Sequence, residues 1–523
     1  MSELFAGIDC STQSCKLVII DLTEKSVVYA DQVNYDTDLP HYHTSNGVIQ
    51  GLAQGVSESN PYMWIDALNM LFQRLRLSAV NPAAIKAMSV SGQQHGLVAL
   101  DADGNLSRRT SKLWNDFSTG EECDLLTVAV GGKDAMIAEA GNTQRTGYTA
   151  AKIFHLIRHE PENYRRTATL FLVHNFVNWY LTGGVRAMEP GDASGMALWH
   201  PEKRAWSQAL LAAMAPDLSA KLPPISPSDR FIGRISGALA GKFGFDPNCA
   251  IDAGCGDNMY GAVGTGNVEP GIVTISLGTS GTAYTFLEHA FIDPAGEIGA
   301  FCDSTGHYLP LLCVSNLANG YNAILQQFCL THEQFNEVAN LTPVGCRGRI
   351  LVPWYSGERT PDIPLAAPIY FGFGLDEFTP EFLCRAVLEG HVLNLYDGFQ
   401  RMPVQPGEIR LTGGLAKSDV WRQTIADVFN ATVVPVEGEG AALGAALHAA
   451  WVYKKEAAPG LPLRQVVTPF IKLQEDQRKS PRPQFAGHYA LLKKIYRGLT
   501  ARARGLEFEG DLFALRNQLM RMQ

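Results

Sequence analysis

An aspartate stands between glycines and an asparagine in the segment Gly254-Cys255-Gly256-Asp257-Asn258. A carboxylate in this setting can accept the proton of an attacking hydroxyl group. The residues MYGAVGTG follow, and aspartate or asparagine also caps a helix well, so a helix cap is the structural alternative. The two roles are compatible, and Asp257 is therefore a candidate general base.

A second aspartate, Asp9, follows an apolar segment and precedes a turn that contains Ser11, Thr12, Gln13 and Ser14. A hairpin of small hydroxylated residues offers backbone N–H groups and side-chain donors to phosphate oxygens. The carboxylate of Asp9 can hold Mg²⁺ directly or through water. An ordinary polar hairpin with an Asx turn is the alternative interpretation.

A similar hairpin occurs later, in the segment SLGTSGT, where Gly278 and Thr279 form the turn. Glycines permit a phosphate to approach the backbone closely. Such turns are common in sheet proteins, so this one alone is weak evidence. Together with the hairpin at Thr12 it indicates a nucleotide-binding protein.

A third glycine-containing segment, LTGGLAKS, carries Gly413, Gly414 and Ser418. An apolar strand predicted over 408–411 enters the glycine pair, and a helix follows. This layout is typical of a phosphate or an adenosine group held near a helix N-terminus. No segment matches GxxxxGK[ST], which excludes a P-loop nucleoside triphosphatase.

The loop SGQQHG supplies Gln94 and His95 directly after the strand predicted over 85–91. Amide and imidazole groups at the end of a strand suit a ligand with many hydroxyl groups. A single loop histidine is more often structural, but Trp114 soon follows in LWND, and aromatic and amide groups often line sugar sites. We therefore predict that Gln94, His95 and Trp114 belong to a sugar site.

The elements that must position these residues follow from apolar periodicity. LFAGIDCS, KLVIIDL and SVVYADQVNY read as strands, and 61–77 reads as an amphipathic helix. Helices and strands then alternate, which predicts an α/β architecture with covered sheets.

The segment IVTISLGTSGTAYTFL repeats the strand–turn–strand layout of LFAGIDCSTQSCKLVIIDL, which indicates two related domains. We expect a first domain over residues 1–266, which carries the loop SGQQHG, and a second domain over 267–455, which carries the segments SLGTSGT and LTGGLAKS. Residues 456–523 should form an extension, with a Pro-rich surface connection at 456–483 and a helix over 489–504.

Composition and charge exclude several classes of protein. The chain has 523 residues, more than one core usually supports, and a formal net charge of −9 from 43 basic and 52 acidic residues. No basic run favours nucleic acid, and no apolar run reaches the roughly 20 residues that span a bilayer. The N-terminus lacks the pattern of a signal peptide, so we expect a cytoplasmic protein.

In this order and spacing the motifs resemble the FGGY carbohydrate kinases, from Gly7 to about Ala446. The phrases SGQQHG, LWND, DASGM, SGERTP and GGLAKSDVWRQTIADVF are most similar to the members that phosphorylate D-xylulose. The resemblance implies two actin-like (ribonuclease H-like) α/β domains flanking a nucleotide cleft. The implied reaction is ATP-dependent phosphorylation of a ketose on its terminal hydroxyl, with D-xylulose 5-phosphate as the product.

The resemblance also implies roles for individual residues, which are these: Asp257 as general base; Asp9 near Mg²⁺ and the transferred phosphate; Gln94, His95, Asp257, Asn258 and Trp114 around the ketose; Thr12, Gln13, Ser14, Gly278 and Thr279 around the ATP phosphates; and Gly413, Gly414 and Ser418 at the adenosine end. ATP and Mg²⁺ are the implied cofactors, with Mg²⁺ inferred from the chemistry of phosphoryl transfer.

Some positions depart from the family pattern. Gln94 stands where bacterial xylulose-phosphorylating members usually carry Met, and His155 stands where Trp is usual. A kinase of ribulose, glycerol, sedoheptulose or another polyol is therefore an open alternative. An actin-like conformational ATPase and a sugar-sensing regulator are further alternatives, and the sequence leaves a homodimer open.

Overall fold

The computed structural model describes residues 3–438 and 440–522, and the chain divides into two compact units. Unit 1 comprises Met1–Glu269, Phe286–Leu309 and Gly438–Ile471. Unit 2 comprises Pro270–Thr285, Pro310–Glu437 and Lys472–Gln523. Each unit is therefore built from segments that are distant in sequence.

The strands of the large sheet of unit 1 are β1 (Leu4–Cys10), β2 (Ser14–Asp21), β3 (Ser26–Asn34), β4 (Ile85–Gly92), β5 (Phe231–Arg234), β6 (Ala250–Asp252) and β7 (Cys255–Gly256). Their order is β3-β2-β1-β4-β6-β5, with β7 also paired to β4. β1 is antiparallel to β2 and β2 to β3, whereas β1, β6 and β7 run parallel to β4.

The strands of the large sheet of unit 2 are β8 (Ile272–Leu277), β9 (Gly281–Thr285), β10 (Leu311–Val314), β11 (Glu408–Thr412), β12 (Thr432–Glu437) and β13 (Lys472–Leu473). Their order is β10-β9-β8-β11-β12-β13. The pairings repeat those of unit 1: an antiparallel meander, two parallel neighbours and an antiparallel edge strand. The repeat found in the sequence is thus a repeat of sheet topology.

Helices follow the strands in both units. The longer ones are α1 (Pro61–Arg76), α2 (Gly120–Ala129), α3 (Thr149–His159), α4 (Val173–Thr182), α5 (Asp257–Gly264), α6 (Ala318–Phe328), α7 (His332–Leu341), α8 (Pro380–Phe399), α9 (Asp419–Phe429), α10 (Gly440–Ala457), α11 (Ala486–Ala503) and α12 (Leu512–Met520). Shorter helices span Tyr35–Asp38, Lys133–Ala140, Pro161–Arg166, Pro190–Ala193, Gln208–Met214, Leu218–Lys221, Gly237–Phe243 and Leu463–Val467. Small strand pairs join Thr44–Ser45 to Val48–Ile49, Glu58–Ser59 to Ser111–Lys112, Val98–Leu100 to Thr169–Phe171, Trp199–His200 to Ala205–Trp206 and Ile350–Val352 to Ile369–Phe371.

The predicted elements agree with these bounds to within a few residues. The helix predicted over 61–77 is α1, and the strand predicted over 85–91 is β4. The helix predicted over 489–504 begins earlier, at Ala486 in α11. No helix of the described residues is long and apolar enough to cross a bilayer.

The compact units differ from the predicted domain ranges. The break near the middle falls at Glu269, but α10 belongs to unit 1 and residues 472–523 belong to unit 2. The predicted surface connection at 456–483 buries Leu463, Val467 and Phe470 in unit 1. These apolar side chains give the segment a place in the core that its proline content conceals.

α10 packs against the sheet and against α5 through positions that admit no side chain. A Cβ atom on Gly7 of β1 would lie 2.0 Å from the carbonyl oxygen of Ala442. A Cβ atom on Gly444 would lie 1.9 Å from the carbonyl oxygen of Tyr260 in α5. The close approach of the two backbones fixes α5, and Asp257 is the first residue of α5.

A buried histidine adds a polar tie between α10 and the rest of unit 1. His448 Nδ1 lies 2.6 Å from Asp252 Oδ2, and Nε2 lies 2.7 Å from the carbonyl oxygen of Ser304. Burial alone would lower the pKa of His448, but the Asp252 carboxylate and the Ser304 carbonyl raise it above the ordinary value. This tie is therefore fully present at pH values below about 6.5 and is lost as the pH rises through the pKa of the folded state.

Replacing Gly444 with alanine should destabilise unit 1 by about 1–3 kcal/mol, because the added methyl group forces α5 and α10 apart. Gly241 is the matched control, since it lies within the helix Gly237–Phe243 with open space around its Cβ position. Gly241→Ala should stabilise the fold by roughly 0.5–1 kcal/mol. Thermal unfolding of both variants measures the difference, and equal unfolding temperatures would refute the packing account.

Candidate active site

The predicted catalytic residues of unit 1 lie at the carboxyl ends of neighbouring parallel strands. Asp9 on β1 stands opposite Ser91 on β4, and Ser91 stands opposite Cys255 on β7. Gly256 ends β7 beside Gly92, so Asp257 emerges one residue beyond the same edge. The alignment brings Asp9 and Asp257, which are distant in sequence, to one edge of one sheet.

Two serine hydroxyls hold the carboxylate of Asp9. Ser11 Oγ donates to Oδ2 at 2.5 Å and Ser91 Oγ donates to Oδ1 at 2.8 Å. Burial raises the pKa of Asp9, while these hydrogen bonds and the charge of Lys16 lower it. Neither serine was predicted as a site residue, although both belong to motifs that the sequence singles out.

Asp257 has a strongly shifted pKa. Desolvation raises it most, and the charges of Asp9 and Asp192 raise it further, to about 8. A base is most effective when its pKa is close to the working pH, so this shift suits proton abstraction from a hydroxyl group. Such shifts are typical of catalytic carboxylates.

Asp192, which sequence reasoning did not assign to the site, is fully buried beside His174. His174 Nδ1 lies 3.0 Å from Asp192 Oδ2. Asn175 accepts from the backbone N–H of Leu172 through Oδ1, so its amide nitrogen faces His174 Nε2, at 2.7 Å. Nε2 must then be the acceptor and Nδ1 must carry the proton. His174 thus contacts the carboxylate of Asp192, and the negative charge of Asp192 raises the pKa of Asp257.

The loop after β4 brings the predicted sugar-binding amides to Asp257. Asn258 Nδ2 donates to Gln94 Oε1 at 2.9 Å and lies 3.1 Å from Asp257 Oδ1. Gln94 Nε2 is buried and has no hydrogen-bond partner among the described residues. This amide N–H group is a free donor at the base, where a hydroxyl oxygen could accept from it.

His95 is held at a left-handed backbone conformation, with φ of +67°. Its carbonyl oxygen accepts from Lys152 Nζ at 2.7 Å and from Thr149 Oγ1 at 3.2 Å, both on α3. Its ring lies 4.8 Å from the ring of Tyr148 and 6.1 Å from that of Phe301. α3 thus fixes the loop, and aromatic rings surround the imidazole.

The hairpin residues near Thr12 are placed differently from one another. Thr12 Oγ1 accepts from Trp114 Nε1 at 2.9 Å and donates to Gln93 Oε1 at 3.2 Å, so it joins Trp114 to the loop after β4. Gln13 is exposed, and the carbonyl oxygen of Ser14 closes the turn by accepting from the backbone N–H of Ser11. The predicted contacts of Thr12, Gln13 and Ser14 with phosphate stay predictions.

Unit 2 contains a cavity of about 580 Å³, a size that suits a nucleoside. Four predicted residues, Gly278, Thr279, Gly414 and Ser418, line it together with Leu277, Ala318, Tyr321, Asn322, His332, Glu333, Asn336, Leu415 and Lys417. Sequence reasoning missed the lining residues of α6 and α7. No local pattern marks them, because ordinary helix residues form this wall.

Gly413 has a structural role beside the cavity. Its φ is +88°, and a Cβ atom there would lie 2.5 Å from the carbonyl oxygen of Leu277. Gly414, by contrast, has open space at its Cβ position. The glycine pair therefore combines one residue that lets β11 and β8 approach with one that leaves the cavity wide.

Two sugar-kinase family models match the chain: the N-terminal domain of the FGGY family of carbohydrate kinases over residues 4–264, and its C-terminal domain over residues 273–453. These matches define a carbohydrate kinase, and the chain belongs to the FGGY family. The predicted α/β fold class with two actin-like domains is confirmed.

Two relatives and one solved structure that are similar to this chain are named xylulose kinases. The chain is 35% identical to the xylulose kinase of Haemophilus influenzae, covering 91% of this chain and 95% of the relative. It is 32% identical to the xylulose kinase of Streptomyces coelicolor, covering 88% and 90%. The crystal structure of xylulose kinase from Bifidobacterium adolescentis superimposes with a TM-score of 0.78 at 27% identity, covering 94% of this chain and 99% of that one.

The value of kcat/KM for the sugar should fall as the pH is lowered through about 8, because Asp257 must be ionised to accept a proton. Asp192→Asn removes a neighbouring negative charge, lowers the pKa of Asp257 and should move the acid limb to lower pH. Asp103→Asn, at an exposed position in the same unit, is the control and should leave the limb in place. An acid limb near the ordinary aspartate pKa that is unchanged in Asp192→Asn would contradict this assignment.

Proposed function

We propose that this chain is an ATP-dependent xylulose kinase that transfers the terminal phosphoryl group of ATP to the terminal hydroxyl of D-xylulose and yields D-xylulose 5-phosphate. The observation that carries the proposal is the grouping of Asp257, Asn258 and Gln94 at the ends of parallel strands. A carboxylate with a raised pKa stands beside an amide pair, as deprotonation of a bound polyol requires. The similarity to xylulose kinases over most of both chains supports the choice of sugar.

In this proposal the residues of unit 1 bind the ketose. Gln94 Nε2 donates to a sugar hydroxyl, and Asn258 and His95 hold others. Trp114, held by Thr12 and 37% exposed, offers a ring face to the sugar carbons. The terminal hydroxyl then lies against Asp257, which takes its proton as the oxygen–phosphorus bond forms.

ATP is the phosphoryl donor that the family implies, and the cavity of unit 2 is the proposed adenosine site. Thr279 and Gly278 of the hairpin would hold the phosphates, and Ser418 would hold the nucleoside. Ser418 Oγ already donates to Asn336 Oδ1 at 2.8 Å, so its oxygen is oriented.

Mg²⁺ fits the residues around Asp9. The Asp9 carboxylate is a hard oxygen donor, and its position near a second carboxylate creates negative charge that a cation would neutralise. When bound, Mg²⁺ would supply charge neutralisation for the phosphate oxygens, with Asp9 as its protein ligand. The hydroxyls of Ser11 and Ser91 fix the orientation of that ligand.

We also propose that the protein works in the cytoplasm, because a kinase of this kind needs ATP. That the chain forms a homodimer stays a prediction.

Asp257→Asn should reduce kcat by about 10²–10⁴-fold, the usual contribution of a general base, while the protein stays folded. The assay is ADP release with Mg²⁺ and ATP in the presence of D-xylulose, L-ribulose, D-ribulose, glycerol, sedoheptulose or water alone. D-xylulose should give the strongest stimulation. Asp103→Asn is the control and should retain full activity.

Three outcomes would change the proposal. Stronger stimulation by another polyol would retain the mechanism and change the substrate. Turnover independent of every sugar would favour a conformational ATPase. An active Asp257→Asn variant would remove Asp257 as the base.

Gly414→Leu should raise KM for ATP at least about tenfold, because the side chain fills the cavity where the nucleoside would bind. KM for the sugar should change little. Gly460→Leu is the matched control, since Gly460 is exposed, also has open space at its Cβ position and does not line the cavity. An unchanged KM for ATP in Gly414→Leu would place the nucleotide elsewhere.

A further inference from the structure

Two histidines and a glutamate converge on the helical part of unit 1, apart from the strand ends. His155 and His159 lie one turn apart on α3, and Glu122 lies on the neighbouring helix α2. One ligand atom from each residue lies within 4.8 Å of the other two. His155 Nδ1 is 3.6 Å from Glu122 Oε2, and His159 Nε2 is 2.9 Å from Glu122 Oε1.

We propose that Glu122, His155 and His159 bind one transition-metal ion, Zn²⁺ in particular. Two imidazole nitrogens and one carboxylate oxygen are ligands that Zn²⁺ prefers, whereas Mg²⁺ prefers oxygen ligands alone. Bond lengths of about 2.0–2.2 Å put the ligand atoms of a tetrahedral site roughly 3.3–3.6 Å apart. The 3.6 Å between His155 Nδ1 and Glu122 Oε2 already fits this spacing, whereas His159 has to turn from Oε1 towards the ion, and a water molecule would complete the coordination.

The state of the ligand atoms supports this site. His155 Nδ1 is buried and has no hydrogen-bond partner among the described residues. The side chain of Glu122 is only 2% exposed and contacts Arg158 and His159 of α3, so its carboxylate has a fixed position.

Arg158 is the main competitor for Glu122. Its Nη1 donates to Glu122 Oε1 at 2.6 Å, and its Nη2 donates to Glu121 at 2.7 Å. The guanidinium group and His159 Nε2 thus both lie on Oε1, while Oε2 faces His155. A metal ion bound to Oε2, with His159 turned towards it, and the guanidinium on Oε1 can share the carboxylate, while Glu121 offsets the added positive charge.

The proposed metal would also stabilise the loop after β4, which carries Gln94 and His95. α3 carries both His155 and the side chains of Thr149 and Lys152, which donate to the carbonyl oxygen of His95. A metal that joins α3 to α2 would therefore stabilise the helix that holds this loop. Its binding does not depend on the identity of the sugar.

The test is calorimetric titration of the full chain, freed of metal by chelation and dialysed, with ZnCl₂ in buffer that contains excess Mg²⁺. The wild type should bind one equivalent of Zn²⁺ at this site, and bound Co²⁺ should show the visible absorption of tetrahedral coordination. Each of Glu122→Gln, His155→Gln and His159→Gln should weaken Zn²⁺ binding at least about tenfold and reduce the Co²⁺ absorption.

Matched controls are Glu202→Gln and His289→Gln, which change an exposed glutamate and an exposed histidine of the same unit. Both should bind Zn²⁺ as the wild type does. Thermal unfolding without metal establishes that every variant is folded. The proposal is overturned if the wild type binds no Zn²⁺, or if the three triad variants retain the wild-type affinity and Co²⁺ spectrum.

Discussion

The parallel pairing of β1, β4 and β7 determines where chemistry can take place in unit 1. Hydrogen bonding places Asp9, Ser91 and Cys255 side by side, and the chain beyond Gly256 has to turn at that edge. α5 begins there, so Asp257 follows the sheet and starts the helix. The contact of Gly444 with Tyr260 then fixes α5 against α10. The position of Asp257 is thus a consequence of backbone packing, and the side chains around it shift its pKa.

Unit 1 contains two buried carboxylate–histidine pairs, Asp252 with His448 and Asp192 with His174. His448 meets an acceptor at each ring nitrogen, so its positive form offsets the carboxylate of Asp252. His174 meets an amide donor at Nε2, and its Nδ1 faces Asp192. The first arrangement stabilises the core, whereas the charge of Asp192 in the second raises the pKa of Asp257. The two carboxylate–histidine pairs therefore differ in the partner of the second ring nitrogen.

Local sequence carries much of the candidate site. Asp257 is recognisable because glycines and an asparagine surround an acidic residue, and both hairpins are recognisable by their small hydroxylated residues. The helices and strands that hold these motifs have strong periodicity, which explains why α1 and β4 could be bounded closely. The resemblance to the FGGY family then assigned each motif a role in one phosphoryl-transfer reaction.

Other features depend on contacts between distant segments. α10 belongs to unit 1 because Ala442 and Gly444 touch β1 and α5, and no local pattern contains that information. Tyr321 and Asn336 line the cavity of unit 2 from helices with ordinary amphipathic sequences. The influence of Asp192 requires a fold that brings it towards Asp257. Sequence patterns identify residues that must be special, whereas the walls and the charges around them arise from packing.

The central claim is that this protein transfers the terminal phosphoryl group of ATP to the C5 hydroxyl of D-xylulose. The most direct test is nuclear magnetic resonance of the product formed from D-xylulose labelled with ¹³C, with Mg²⁺ and ATP. The account predicts phosphorus coupling at C5 and at the adjacent C4, with one ADP formed for each phosphate ester. Phosphorus coupling at C1, or ADP formation without any sugar phosphate, would contradict it.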